Sequence, residues 1–197
     1  MHLIGHGSAD KRGAFHHPER YDRVARHVRR LHARVVADVT GAGLPDGARV
    51  LDAGTGPGRV PLAIAAAAPL LWVEGIDLSE EMIDHARRLA TETATPARIS
   101  FAVADVADLN YPDGRFDLII STLSQHHWAN RRSAMRELLR VLKPGGQIWI
   151  YDVRFALRRA AAAAHAAGPG CQLHRETVRT RRMSLGLIVR LTVRKPD

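Results

Sequence analysis

The chain has 197 residues, of which 46% are hydrophobic and 25% charged, and its formal net charge is +9. This composition is ordinary for a single globular domain and argues against large-scale disorder. No apolar run approaches the roughly 20 residues that a bilayer-spanning helix needs, so we expect a cytoplasmic protein without a transmembrane segment. Cys171 is the only cysteine, which rules out an internal disulfide and argues against a cysteine-based zinc site.

The positive charge is unevenly distributed along the chain. Residues 49–150 carry 11 Lys and Arg against 12 Asp and Glu, whereas residues 151–197 carry ten against three. Charge runs of this kind are more often a solvated surface than a nucleic-acid site. Nucleic acid is therefore the less favoured partner, and an anionic substrate or a membrane surface stays open.

The first 48 residues predict a loose segment followed by one helix. Residues 1–17 show no periodicity, and we expect them to be flexible. From Pro18 to Val39 apolar residues recur at helical spacing with arginines between them, and the helix should end before Gly41. We expect this amphipathic helix to cover the core of a single domain that spans residues 1–197.

Residues 49–153 alternate between strand and helix patterns, as in a parallel sheet with right-handed crossovers. The predicted strands are Arg49–Ala53, Leu71–Asp77, Arg98–Ala104, Arg115–Ser121 and Gln147–Val153. The predicted helices are Arg59–Ala67, Ser79–Thr91 and Arg131–Leu142. The last of these helices should stop at Pro144-Gly145-Gly146, and Ser79 is a predicted N-cap.

Residues 154–197 predict a helix and a closing pair of strands. The alanine-rich run Phe155–Ala167 is a helix former, and Gly168-Pro169-Gly170 closes it. Leu185–Val193 alternates apolar and polar residues with the period of a strand, and a weaker strand pattern lies at Leu173–Thr180. These two segments can form an antiparallel pair.

The segment Val50–Arg59 combines an apolar strand, an acidic residue and three alternating glycines. This pattern is typical of a turn that binds a nucleotide cofactor. A dinucleotide-binding turn has the spacing G-x-G-x-x-G/A, and here Arg59 stands where its third small residue would be, which argues against NAD. Asp77 ends the next predicted strand, at about the place where a carboxylate reaches ribose hydroxyls.

These residues resemble the class I S-adenosylmethionine (SAM)-dependent methyltransferases, whose first motif has the form D/E-x-G-x-G-x-G. The resemblance takes in Asp52–Gly58, Gly75–Ser79, Ala104–Val106, Phe116–Ser121 and Leu138–Gly146. It implies an α/β Rossmann-like fold with a seven-stranded, mostly parallel sheet, an antiparallel last strand and helices on both faces. It also implies SAM as the cofactor and S-adenosylhomocysteine as the product.

The resemblance implies a set of cofactor-binding residues at the strand ends. They are Asp52, Ala53, Gly54, Thr55, Gly56, Gly58, Asp77, Leu78, Met82, Asp105, Val106 and Ser121, together with Tyr21 from the covering helix. In the family pattern Asp77 accepts the ribose hydroxyls, Asp105 accepts the adenine amino group beside the Val106 amide, and Asp52 anchors the turn and the ammonium group. Leu78 and Met82 would flank the adenine. Each carboxylate could instead simply cap a loop or a helix.

The segment Ser121–Trp128 is where members of the family line the acceptor pocket. His126 or His127 is the candidate base, with a slight preference for His126, because imidazole titrates near neutrality. Alternatively, one histidine caps the next helix and Trp128 packs beneath it. Asp152 is a second pocket candidate. We expect no metal, since adjacent histidines point apart and no carboxylate accompanies them at ligand spacing.

The acceptor class follows from motifs that are missing. The segment after the fourth strand lacks the Asn/Asp-Pro-Pro-Tyr/Phe pattern of amino-methylating nucleic-acid enzymes, and the paired glutamates of protein arginine methyltransferases are absent. The resemblance to compact quinone, lipid and natural-product methyltransferases predicts methyl transfer to an O or N atom of a small molecule. Two alternatives stay open: an RNA or DNA methyltransferase that uses the C-terminal arginines, and a SAM-binding subunit without chemistry. A homodimer that closes the cleft is also compatible with the sequence.

Overall fold

The structure, a computed structural model, describes residues 29–93, 98–178 and 188–197. The strands are β1 (Arg49–Ala53), β2 (Trp72–Asp77), β3 (Ile99–Val103), β4 (Phe116–Thr122), β5 (Leu142–Val153), β6 (Gln172–Thr177) and β7 (Ile188–Arg194). The helices are α1 (Arg29–Thr40), α2 (Arg59–Ala67), α3 (Glu80–Glu92), α4 (Arg131–Val141) and α5 (Arg154–Ala167). A 3₁₀ turn lies at Gln125–His127. Tyr21 and the predicted loose segment 1–17 lie outside the described residues.

The seven strands form one sheet in the order β3-β2-β1-β4-β5-β7-β6. The first five are parallel, and β7 lies antiparallel between β5 and β6. The predicted fold is therefore confirmed. The chain builds outward from β1 to β3 and then returns to the other side of β1 with β4. This reversal places a crevice at the carboxyl ends of β1 and β4, where ligands of open parallel sheets bind.

Helices cover both faces of the sheet, because successive strand residues point to opposite sides. In β4, Leu118 and Ile120 pack under α1 and α2, whereas Ile119 packs under α4 and α5. Phe101 of β3 packs against Leu62 of α2 and the apolar face of α3. In the described part of the chain, no helix is long and apolar enough to cross a membrane.

Of two predicted element boundaries, the structure confirms one and contradicts the other. At the start of α3 the prediction is confirmed: Ser79 accepts a hydrogen bond from the Met82 amide at 3.3 Å. The prediction that β5 begins only at Gln147 is wrong, because Leu142 already pairs with Phe116. The register then shifts between Phe116 and Leu118, which pairs with Gln147. The Pro-Gly-Gly segment is therefore an irregular, bulged part of β5.

Candidate cofactor and active site

A cleft of about 180 Å³ opens at the carboxyl ends of the central strands. It is lined by Gly54, Gly56, Ile76, Asp77, Leu78, Met82, Ala104, Asp105, Val106, Ala107, Leu123, Ser124, His127, Trp128, Ala129 and Asn130. These residues follow four different strands, which brings most of the predicted cofactor residues together in one place. The predicted site residues that do not line this cleft are Asp52, Ala53, Thr55, Gly58, Ser121 and His126.

The glycine turn after β1 is tied to the end of β2 by backbone hydrogen bonds. The amides of Gly54 and Thr55 both donate to the Ile76 carbonyl, at 2.9 and 2.8 Å. Gly54 has a φ of 78°, and a Cβ at this position would overlap the Ser124 side chain. Glycine is therefore needed here for two reasons, since the backbone is left-handed and the acceptor-side loop lies directly against it.

Gly58 serves the packing of helices rather than the cleft. It is the N-cap of α2 with a φ of 75°, and a Cβ there would lie 2.7 Å from the Ala86 Cβ and 2.8 Å from the Phe101 ring. From the dinucleotide-binding spacing, the small residue that permits close helix packing is expected at position 59, where this chain has arginine. In the structure Gly58 itself makes that close approach between α2, α3 and β3.

The Asp77 carboxylate is held at the edge of the cleft by the backbone. Its Oδ2 accepts from the Gly56 amide at 2.8 Å, and its Oδ1 accepts from the Ser79 amide at 3.0 Å. Burial raises the pKa of Asp77, and the hydrogen bonds from Ser79 and Gly56 oppose that shift. Each oxygen keeps a further lone pair. The carboxylate can therefore accept two more hydrogen bonds from a ligand while it also fixes the turn.

One end of the cleft has apolar walls and an exposed carboxylate. Met82 is only 2% exposed, whereas Leu78 is 46% exposed, and both lie along the cleft. Asp105 is exposed, and its Oδ1 accepts from the Ala107 amide at 2.8 Å. Asp105 thus holds its own turn, as the structural alternative predicted, and keeps its second oxygen for a ligand.

Asp52 lies in a second, smaller pocket that shares Gly54 with the cleft. This pocket is also lined by His32, Thr55, Pro57, Arg59, Val60 and Thr122. Asp52 is 2% exposed, and its Oδ2 accepts from the Thr55 hydroxyl at 2.9 Å. Its Oδ1 is buried and has no hydrogen-bond partner among the described residues. Burial raises the pKa of Asp52 to about 7, and burial together with Arg59 lowers the pKa of His32 to about 4.

The acceptor side of the cleft begins with a strained residue. Leu123 has a φ of 52°, the only positive φ of a non-glycine residue in the described ranges. Its amide donates to the Tyr151 carbonyl at 2.8 Å. The Ser124 hydroxyl then accepts from the Trp128 indole nitrogen at 3.2 Å. A left-handed leucine costs about 1–3 kcal/mol, which the surrounding contacts must offset.

The two histidines lie side by side but have different surroundings. His126 Nδ1 lies 2.9 and 3.0 Å from the two oxygens of Asp152, a side chain that is fully buried. The His126 amide also donates to Asp152 Oδ2 at 3.1 Å. His127 lies along the cleft, with its ring 3.9 Å from that of His126. Burial, and then the neighbouring His126, lower the pKa of His127.

The His126–Asp152 pair was not predicted from the sequence. Asp152 lies 26 residues after His126, and the pairing of β4 with β5 brings the two together, so local spacing gives no sign of the contact. Asn130 was missed as well, although an Asn immediately before a predicted helix is a recognisable N-cap. Its side chain accepts from the Ser133 amide at 3.0 Å. Among the residues described, no group of three or more His, Cys, Asp or Glu is placed to hold a metal ion.

The comparisons with known proteins decide the family. Residues 50–146 match the family model of a methyltransferase domain. A SAM-dependent methyltransferase from Aquifex aeolicus superposes with a TM-score of 0.73, covering 90% of this chain and 98% of its own at 18% identity. The chain carries a class I SAM-dependent methyltransferase domain. SAM is the cofactor of this family, as predicted.

Sequence relatives of this methyltransferase domain share its central part. The 27-O-demethylrifamycin SV methyltransferase of Amycolatopsis mediterranei is 36% identical over 106 residues, which are 54% of this chain and 39% of that protein. The ubiquinone/menaquinone biosynthesis C-methyltransferase UbiE of Geotalea daltonii is 36% identical over 109 residues, which are 55% of this chain and 46% of that protein. The chain thus matches less than half the length of either relative.

Proposed function

We propose that the protein transfers the methyl group of SAM to an O or N atom of a small, largely apolar molecule. The observation that carries this proposal is the position of Asp77. Asp77 is the last residue of β2, the parallel strand next to the glycine turn. Two backbone amides orient its carboxylate, which keeps lone pairs available at the cleft. Two carboxylate oxygens match the two adjacent hydroxyls of a ribose.

The remaining residues of the cleft, together with Asp52 in the adjoining small pocket, fit the other parts of SAM. The unpartnered Asp52 Oδ1 suits a cationic ammonium group, since a buried acceptor needs a donor. Leu78 and Met82 offer apolar surface to an adenine ring, and Asp105 an acceptor for its amino group. When bound, SAM supplies an electrophilic methyl group on a sulfonium.

The residues after β4 align the acceptor and, where needed, take its proton. Because the Asp152 carboxylate can only accept, the His126 Nδ1 carries the proton and its Nε2 has a free lone pair. His126 therefore becomes the base in this proposal, and Asp152 stabilises the imidazolium that forms. Such general-base assistance contributes about 10²–10⁴-fold, and alignment of the two reactants supplies the rest.

The walls of the acceptor side favour an apolar molecule. Leu123, Trp128 and Ala129 line this end of the cleft. The named activities of the two relatives, on a rifamycin precursor and in quinone biosynthesis, support an acceptor of the quinone or natural-product kind. Since the Geotalea relative is named a C-methyltransferase, a carbon acceptor is the outcome that would correct the atom type.

Asp77→Asn tests the cofactor assignment. Loss of the charge should weaken SAM binding about 10- to 100-fold, because hydrogen bonds to charged groups contribute about 1.5–3 kcal/mol each. Asp84→Asn is the matched control, since Asp84 is half exposed on α3 and forms an ion pair with Arg87 there. Calorimetry should show wild-type affinity for that control. Near-wild-type affinity of a folded Asp77→Asn protein would overturn the ribose assignment.

Transfer of a labelled methyl group tests the acceptor class. We expect label in demethylated quinones, phenols or amines, and not in tRNA or duplex DNA. Label in nucleic acid, with binding that weakens steeply as salt rises, would establish the nucleic-acid alternative. SAM binding without transfer to any of these acceptors would favour the non-catalytic subunit.

A further inference from the structure

An exposed aromatic residue lies at the beginning of α5, in a helical turn that also carries exposed arginines. Phe155 is 77% exposed, more than any other large hydrophobic side chain in the described residues. Exposed arginines lie in the first two turns of α5, and a further one lies in the first turn of α4, the helix that packs against α5. We call this surface the basic rim, and its members are Arg132, Arg154, Phe155, Arg158 and Arg159.

The basic rim adjoins the acceptor side of the cleft. Parallel strands β4 and β5 end at the same edge of the sheet, so α4 and α5 both begin there, and the two helices pack together. Ala129 and Asn130 line the cleft immediately before α4. Asp152, which holds His126, lies two residues before α5. An object that rests on the basic rim therefore lies next to the proposed acceptor pocket.

The basic rim does not stabilise α5 through the helix dipole, and its contact with the rest of the fold includes a hydrogen bond from Arg154 to the Thr177 hydroxyl at 3.5 Å. Cationic side chains near a helix N-terminus oppose its dipole, and the first turns of α4 and α5 hold no acidic residue. α3 shows the favourable arrangement, with Glu80 and Glu81 after the Ser79 cap. An exposed phenylalanine adds no burial to the fold either. Both features are explained by a partner that offers negative charge and an apolar layer together.

We propose that the basic rim docks the protein on the surface of an anionic lipid bilayer. The arginines face the acidic headgroups, and Phe155 inserts at the boundary with the acyl chains. Residues 151–197, which include α5, carry ten basic and three acidic residues, and a net positive charge is what attraction to anionic lipids needs. A bilayer is favoured over nucleic acid because the adjacent pocket is walled by Leu123, Trp128 and Ala129. This choice of a bilayer rests on the proposed function, since the apolar acceptor proposed there would partition into a bilayer.

Vesicle sedimentation of the full chain tests this docking. We expect binding to vesicles of phosphatidylglycerol and phosphatidylcholine in equal parts, weaker binding at high salt, and little binding to phosphatidylcholine alone. Arg158→Glu and Phe155→Ala should each weaken binding to the anionic vesicles about fivefold or more. The matched controls are Arg88→Glu on α3 and Leu70→Ala before β2, both exposed and both on elements at the β2–β3 end of the sheet, across β1 from β4 and β5. They should bind like the wild type.

Three results would overturn the docking proposal. The first is that the wild type does not bind anionic vesicles. The second is that the control variants lose as much vesicle binding as the rim variants. The third is that tRNA displaces the wild type from vesicles and that Arg158→Glu weakens binding to tRNA as well. Calorimetry with SAM keeps this question apart from the proposed function, because both rim variants should bind SAM normally. If vesicle binding holds and SAM binding fails in the wild type, only the methyltransferase proposal falls.

Discussion

The cofactor side and the acceptor side of the cleft are built by different means. On the cofactor side, the parallel register places Ala53 opposite Ile76, so that the glycine turn and Asp77 meet through backbone amides. On the acceptor side, a left-handed Leu123 and the side-chain pair of His126 and Asp152 shape the loop. Strand geometry shared by a whole family thus builds the first side, while individual side chains of this sequence build the second.

The two sides meet at Gly54, and a substitution there should have the largest effect. In Gly54→Ala the new Cβ is in a left-handed backbone and overlaps Ser124. We expect the free energy of unfolding to fall by about 2–5 kcal/mol, with loss of SAM binding. Gly43→Ala is the control, because Gly43 has a φ of 67° but nothing within 4 Å of its Cβ position. It should cost only about 1–2 kcal/mol in denaturant unfolding. Equal costs would show that the two sides are not in contact.

Asp152→Asn should separate turnover from cofactor binding. Without the carboxylate, the His126 imidazolium loses its stabilising charge, and turnover should fall about 100-fold while SAM affinity is unchanged. His126→Ala should show the same loss of turnover, again with unchanged SAM affinity. Asp113→Asn, at a side chain that is 81% exposed, is the control. Full activity of His126→Ala on the true acceptor would assign the proton transfer elsewhere.

Asp52 and His32, in the small pocket beside the cofactor side, should give pH effects of opposite sign. The pKa of Asp52 is raised to about 7, so its contribution to stability is fully present below about pH 4 and is lost as the pH rises to about 7. The pKa of His32 is lowered to about 4, so its contribution is lost as the pH falls from about 6.5 to 4. Each slope is about 1.4 kcal/mol per pH unit.

Variants resolve these two opposing slopes. Relative to the wild type, Asp52→Asn should gain stability progressively as the pH rises from 4 to 7, and His32→Gln should gain it as the pH falls from 6.5 to 4. Denaturant unfolding across this range measures both. Parallel pH profiles for the wild type and either variant would show that the residue concerned does not titrate differently on folding.

Ser124→Ala should have the smallest effect and tests the acceptor side alone. The Trp128 indole loses its acceptor, which should lower the free energy of unfolding by about 1 kcal/mol and alter the tryptophan fluorescence. SAM affinity should change little. Ser133→Ala, at a hydroxyl that accepts an exposed hydrogen bond from Arg136 of α4, is the control and should leave the fluorescence unchanged. A strong loss of SAM binding in Ser124→Ala would show that Ser124 serves the cofactor side as well, and would contradict the division of the cleft into two sides.

Local patterns in the sequence predicted what depends on strand and helix periods. The bounds of α2 agree with the prediction, and the alternation in the tail identified β7, because each reflects neighbouring residues on one element. The packing of Gly58 against Phe101 and the pairing of His126 with Asp152 join elements that no local period connects. The conformation of Leu123 was equally invisible, since its loop imposes a φ that leucine itself does not favour.

A calorimetric titration of the wild-type protein with SAM, S-adenosylhomocysteine and NAD tests whether the cleft is a SAM site. We expect one site that binds both sulfur compounds at micromolar or lower concentration and does not bind NAD. A folded protein that binds neither sulfur compound, or that binds NAD in their place, would contradict the assignment of the cleft.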